Sequence, residues 1–160
     1  VTETNTELTI LTFRVGKKLM CLSISDINEI IEPVAPTHVP VTDKALEGFI
    51  SLRNQILPLV RLSELFGTSS TSTELFEEKY LIAHNGDLSA ALHVDAVGET
   101  QTYTSKSLLP SEPGTTDSSL FSGQIIVNGI AIPLINLHQL FATIAQKNTQ
   151  IRKQAGYSLS

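Results

Sequence analysis

The stretch that decides the fold is Gly48–Gly67, GFISLRNQILPLVRLSELFG, because a second version of it stands at Gly123–Ala142, GQIIVNGIAIPLINLHQLFA. Both run glycine, apolar strand, tight polar turn, then an apolar strand broken by proline. They align without gaps at an offset of 75 residues, with Gly48/Gly123, Ile50/Ile125, Pro58/Pro133, Leu59/Leu134, Leu62/Leu137, Leu65/Leu140 and Phe66/Phe141 identical. Upstream, at an offset of 70, Gly16 falls on Gly86, Leu22 on Leu92 and Glu29 on Glu99. The chain therefore reads as two copies of hairpin, connection, hairpin, short helix, over about residues 8–67 and 80–142. A period near 70 is too long for a solenoid.

Working outward, Leu8–Val15 and Leu19–Ile24 form a hairpin around Gly16-Lys17-Lys18. Ser25–Ile31 continues as strand or as a helical turn. Pro33, Pro36 and Pro40 make residues 33–47 an irregular connection, with a turn of helix at DKALEG. Ile50–Leu52 and Gln55–Leu62 flank the tip Arg53-Asn54. Asn54 tolerates the positive φ that a two-residue tip requires, and Asn128-Gly129 is the strongest short-range hairpin signal. Thr68–Thr73 is a polar break. Tyr80–His84 and Leu88–Val94 are strands around Asn85-Gly86. Glu99–Ser122, rich in Ser, Thr, Pro and Gly, reads as a long loop. His138–Gln154 reads as a helix whose apolar stripe weakens after Ile144. Residues 1–7 read as a disordered lead-in and 146–160 as a helical or flexible tail.

The fold class is all-β: two side-by-side five-stranded barrels from an internal duplication, each half supplying one. A barrel of about sixty residues buries too little apolar surface to be comfortably stable alone, and two share a larger core. Pro58 and Pro133, lacking the ladder donor, are expected at an edge or bulge.

The chain has 160 residues, 41% apolar and 17% charged, and a net charge of −5. An acidic surface argues against nucleic acid or anionic lipid as the main partner. No run of 18 apolar residues offers a membrane span. The opening VTETNTEL lacks the basic and apolar regions of a signal peptide. Cys21, the single cysteine, sits in LMCLSI and reads as a small buried hydrophobe. His38, His84, His93 and His138 form no metal spacing, and neither a nucleophile elbow nor a phosphate loop is present. No catalytic, cofactor or metal residue is assigned. His93 and Asp95 share a strand face, which reads as the polar side of a half-exposed strand. Asp95 is a partner contact or, more simply, a satisfied aspartate near a turn. Arg61 is an interface residue or a snorkelling one.

GFISLRNQILPLVRL resembles the signature G-V-x-N-L-R-G-x-I-x-P-V-x-D-L of the CheW-like domain family, the adaptors of bacterial chemotaxis arrays and the related regulatory domains of chemotaxis kinases. DINEI (Asp26–Ile30) is similar to the family's V-x-E-I segment. LHVDAV (Leu92–Val97) is similar to G-x-x-V-D-x-V, and Phe121–Leu140 to its closing unit. The resemblance spans about residues 8–145 in order. It implies a non-catalytic adaptor of two barrels, cytoplasmic and associated with inner-membrane receptor arrays. Such an adaptor bridges the tip of a methyl-accepting chemoreceptor, docked between the barrels, to the regulatory domain of a histidine kinase, held at a barrel end. Glu29 then matches the family's acidic residue and Arg53 its arginine, with a salt bridge that orients the arginine. Asn54, Ile27, Arg61 and Asp95 complete the expected partner-binding set. Ile27, Phe49, Leu52 and Leu57 are mostly core, with one or two lining the groove.

The sequence departs from the family pattern at Asn54, where glycine is usual. Ser51 replaces an asparagine, Arg61 reverses an aspartate, and Asn136 holds the corresponding place in the second copy. These departures point to a particular receptor set or to a scaffold of a non-motility chemosensory pathway. The reading from another class is a small barrel enzyme or peptide binder, which turnover lost on substitution of His93 would favour.

Overall fold

The computed structural model describes residues 7–38, 45–67, 78–104, 108–109 and 120–154. Thr68–Thr73 and the outer parts of the lead-in and tail lie outside the described residues. Among the described residues, eleven strands and two α-helices follow in chain order. β1 (Glu7–Val15) and β2 (Lys18–Ser23) form the first hairpin, and a 3-10 turn at Ile24–Asp26 leads into β3 (Ile27–Ile31). So Ser25–Ile31 is turn and then strand. β4 (Leu46–Leu52) and β5 (Gln55–Arg61) follow, then α1 (Leu62–Leu65). β4 starts earlier than the sequence pattern indicated: Leu46–Gly48 is strand, not the end of a helical turn, and residues 39–44 lie outside the described part.

The second half repeats the order: β6 (Lys79–Asn85), β7 (Leu88–Val94), β8 (Ala96–Thr104), β9 (Leu108–Leu109), β10 (Phe121–Val127), β11 (Ile130–Ile135) and α2 (Leu137–Gln154). The expected loop from Glu99 is therefore strand as far as Thr104. β8 pairs with β1 from Glu7↔Thr104 to Arg14↔Ala96. Its Thr, Gln and Tyr residues are compatible with a strand, and only tertiary pairing reveals it.

The molecule is mostly β, in two sheets, as expected. One has the order β8-β1-β2-β11-β10-β9 and the other β3-β6-β7-β5-β4. The assignment of strands differs from one barrel per copy. Each copy gives its first hairpin to the other copy's sheet: β1-β2 joins β8 to β11, and β6-β7 joins β3 to β5. The registers obey the duplication. Leu59 pairs with Ala91 and Leu134 with Cys21, both in parallel pairings, and offsets of 75 and 70 carry one pair into the other.

Both sheets close. β8 and β9 stand at opposite ends of the six-stranded order, yet Thr104 and Leu108 are four residues apart and so at most about 15 Å apart. In the five-stranded sheet the chain leaving β3 at one end reaches β4 at the other. Thr37 and Phe49 exchange two backbone hydrogen bonds of 2.8 and 3.0 Å. Gly48 makes room for that contact. Its φ is +143°, and a Cβ there would lie 2.3 Å from the Thr37 carbonyl oxygen.

Exchange of hairpins sets where the core lies. β1, β2, β6 and β7 are covered on both faces, which is why their sequences are near-continuous apolar runs. On β6, Tyr80 and Ile82 face the interior of the five-stranded barrel with Ile50, Leu57, Leu59 and Ala91. Leu81 and Ala83 face the other way, into a shared layer with Leu11, Phe13, Val15, Met20, Leu22, Ala90 and Leu92. α2 adds Leu137, Leu140, Phe141 and Ile144 to that layer. Ile10, Cys21, Ile125, Val127, Ile132 and Leu134 fill the six-stranded barrel. Cys21 is buried, and burial pushes its thiol up to about 12. Its Sγ donates to the Pro133 carbonyl at 3.4 Å.

Pro58 and Pro133 mark neither an edge strand nor the bulged residue. β5 and β11 are interior strands, and the irregularities fall on their partners, between Leu46 and Gly48 and between Phe121 and Gly123. Each proline stands one residue before its strand meets the parallel neighbour, where no further donor is called for.

Candidate partner-binding site

The tip of the β4–β5 hairpin has Leu52 paired with Gln55, leaving a two-residue turn. Arg53 has φ 49° and Asn54 φ 65°, the left-handed pair of a type I′ turn. Asparagine accepts this conformation. Arginine does so at a cost of roughly 1–2 kcal/mol, because its Cβ crowds the following carbonyl oxygen. The matching tip of β10–β11 carries Asn128 and Gly129 at φ 50° and 78°.

Arg53 Nη2 lies 2.9 Å from Glu29 Oε2, with the arginine side chain 78% exposed and the glutamate 23%. Glu29 is on β3, at the opposite end of the sheet order from β4. The pair therefore crosses the seam where the barrel closes, and sheet curvature alone brings these side chains together. Ile27 sits on the same strand, across the irregularity between Ile27 and Glu29, and packs half-buried against the inter-barrel core. Exposed Ile30 on β3 and Ile56 on β5 add apolar surface to the two strands that carry the pair.

Arg61 and Asp95 are not part of this group. Arg61 ends β5, roughly 20 Å from the tip along a seven-residue strand. Its guanidinium lies 3.7 Å from Glu47, 3.5 Å from Glu78 and 3.9 Å from Asp95, and its Nε donates to Ser63 Oγ at 3.2 Å. Asp95 is 3% exposed. Its Oδ2 accepts from the Gly16 amide at 2.6 Å, and its own amide donates to the Arg14 carbonyl at 2.9 Å. It is the satisfied aspartate of a turn, fastening the end of β7 in the five-stranded sheet to the β1–β2 hairpin of the six-stranded sheet, and is buried.

His93 is also buried, at 8% exposure, rather than on a half-exposed face. Nδ1 lies 2.6 Å from Glu47 Oε1 and Nε2 2.7 Å from Glu78 Oε1. Sequence reading missed Glu47 and Glu78, whose neighbours give no signal of a shared site. The visible hints were the charge reversal at Arg61 and the His93–Asp95 spacing. The cluster raises the Tyr80 phenol above its usual value, through burial first and then the charges of Glu47 and Glu78, with Arg61 opposing.

Among the described residues, no group of His, Cys, Asp and Glu is arranged to hold a metal ion, and no helix is long and apolar enough to cross a membrane.

Against known proteins, the chemotaxis protein CheW of Rhizobium meliloti is 26% identical over 140 residues, covering 86% of this chain and 90% of the relative. That of Helicobacter pylori is 30% identical over 87 residues, 54% of this chain and 52% of the relative. The crystal structure of the scaffolding protein TtCheW from Thermoanaerobacter tengcongensis superposes with a TM-score of 0.79 at 29% identity, covering 88% of this chain and 92% of that one. The CheW-like domain profile matches residues 9–145. That match spans most of the chain, and the chain belongs to the CheW-like domain family.

Proposed function

We propose that this chain is a non-catalytic adaptor of a bacterial chemosensory array, coupling the cytoplasmic tips of membrane chemoreceptors to the regulatory domain of a chemotaxis-type histidine kinase. The observation that carries the reading is the exposed Arg53, held on a left-handed turn and aimed by Glu29 across the barrel seam. An arginine kept in a strained conformation at an exposed tip contributes little to folding, since exposed ion pairs are worth about 0–1 kcal/mol. A planar guanidinium with one side already ordered loses less freedom when it meets a carboxylate on a partner. Asn54 shares the tip, and Ile27, Ile30 and Ile56 supply apolar surface on the flanking strands. Arg61 lies in an internal cluster, so its departure from the family pattern leaves the docking tip unchanged. The array sits at the inner face of the membrane, and the adaptor reaches it through its partners.

The test is calorimetric titration of the chain against the receptor tip and against the kinase regulatory domain, with wild type and Arg53→Ala. Binding to both, with the variant weakened at least tenfold at the receptor tip, is the expected result. Absence of binding to either partner would remove the adaptor reading and leave the fold standing.

A further inference from the structure

Away from the docking tip, the Glu47–His93–Glu78 triad has a proton count that its geometry does not leave open. A carboxylate only accepts hydrogen bonds, and a neutral imidazole carries one N–H. With both ring nitrogens at 2.6 and 2.7 Å from carboxylate oxygens, a neutral ring between two ionised glutamates would set a nitrogen lone pair against an oxygen lone pair. Both contacts are hydrogen bonds only when the triad holds one further proton, on the ring or on one glutamate. Contacts this short are those of charge-assisted bonds.

We propose that this triad is a proton-dependent clasp at the junction of the two barrels, opening one of its two contacts when the extra proton leaves. Its parts come from separate elements. Glu47 lies on β4 at the irregularity beside Gly48, Glu78 immediately precedes β6, and His93 is near the end of β7. The other charged and titratable groups facing it are Arg61 of β5, close to both glutamates, Asp95 after β7, Tyr80 of β6, and His38, whose Nδ1 lies 3.0 Å from the Glu47 carbonyl oxygen. The Tyr80 ring stands edge-on 5.0 Å from the imidazole. Its hydroxyl donates to the Val34 carbonyl at 2.9 Å and so is engaged elsewhere. Lys79, between Glu78 and Tyr80 in the chain, pairs with Glu32. Arg61 links the clasp to Asp95, and Asp95 holds the Gly16 amide of the other barrel. Opening the clasp therefore frees the base of β4 next to the contact that joins the barrels. The sign follows from the geometry: each contact needs a proton between its nitrogen and its oxygen, so losing one as pH rises turns one attraction into a lone-pair repulsion.

Two measurements test this on the intact chain. Nitrogen-15 shifts of the His93 ring report the proton count directly. The expected result is protons on both nitrogens, or one ring proton together with a protonated glutamate seen in the carboxyl carbon-13 shift of Glu47 or Glu78. A neutral ring with both carboxylates ionised, persisting from about pH 6 to about pH 9 around the ordinary imidazole value, would overturn the proposal. Melting temperatures of wild type and His93→Gln over the same range give the energetic side. The wild-type advantage should shrink as pH rises, and an advantage that stays constant would also overturn it. If His93→Gln does not fold, the ring shifts of the wild type decide alone.

Discussion

Arg61 and Asn136 hold the same place in the two halves, the residue before the helix that follows the second hairpin, and only Asn136 caps its helix. Asn136 Oδ1 accepts from the Gln139 amide at 3.2 Å, the bond an N-cap makes to the third helical residue. Arg61 makes no side-chain cap, and α1 lasts four residues where α2 lasts eighteen. Asn136 serves its helix, and Arg61 instead faces Glu47, Glu78 and Asp95.

Restoring a cap in the first half should therefore not stabilise the protein. Arg61→Asn gains about 1 kcal/mol of capping but leaves three carboxylates without their shared cation. Loss of a partly buried partner outweighs that gain, with a net destabilisation of about 1–2 kcal/mol. Asn136→Ala should cost about 1 kcal/mol. Urea unfolding of both variants checks the pair, and an Arg61→Asn protein as stable as wild type would refute the compensation.

At the Arg53-Asn54 tip, stability and the proposed receptor binding should move in opposite directions. Arg53→Gly removes the left-handed strain and the exposed ion pair together. The strain is worth roughly 1–2 kcal/mol and the pair under about 1 kcal/mol. The variant should melt at or above the wild-type temperature while binding the receptor tip more weakly. A lowered melting point would place Arg53 among the residues that hold the fold.

Gly48→Ala should be among the costliest single-methyl changes in the chain. The new carbon would sit 2.3 Å from the Thr37 carbonyl oxygen, at a φ of +143°, so the seam of the five-stranded barrel has to shift. We expect a loss of about 3 kcal/mol or more, beyond the roughly 1–3 kcal/mol of backbone strain alone. Gly129→Ala is the control, since it meets open space at a φ of +78° and should lose about 1 kcal/mol. Denaturant midpoints of the two variants rank them.

Asp26 gives a pH dependence of known sign. Burial raises its carboxyl above the usual value, and His84 opposes the shift. The folded state thus holds the Asp26 proton more tightly than the unfolded chain, and this group's contribution to stability falls as pH rises through the carboxylate range. Asp26→Asn should raise the melting temperature at neutral pH. The gain should fade below about pH 4, where the aspartate is protonated in both states. Parallel melting curves at the two pH values measure it.

Local chemistry wrote much of this molecule into its sequence. The tips Arg53-Asn54 and Asn128-Gly129, the hairpins, the helix from His138 onward and the pairing of Glu29 with Arg53 all rest on short-range patterns or on one aligned motif. β8 was hidden because polar residues on a strand look like a loop until a partner strand is supplied. The cluster around His93 was hidden for the same kind of reason. Glu47, Glu78 and His93 come from three strands or their ends, and nothing beside them in the chain announces the meeting.

The duplication itself was legible, with its period, its matched glycines and prolines and its two equivalent hairpin tips. Which hairpin entered which barrel was not. Two copies of one pattern offer β1-β2 the same kind of partner in either half, and side-chain periodicity is blind to that choice. Tertiary structure decided it by exchanging the first hairpins. That burial of four strands on both faces joins two marginal barrels through one continuous apolar layer, which neither half could form from its own residues.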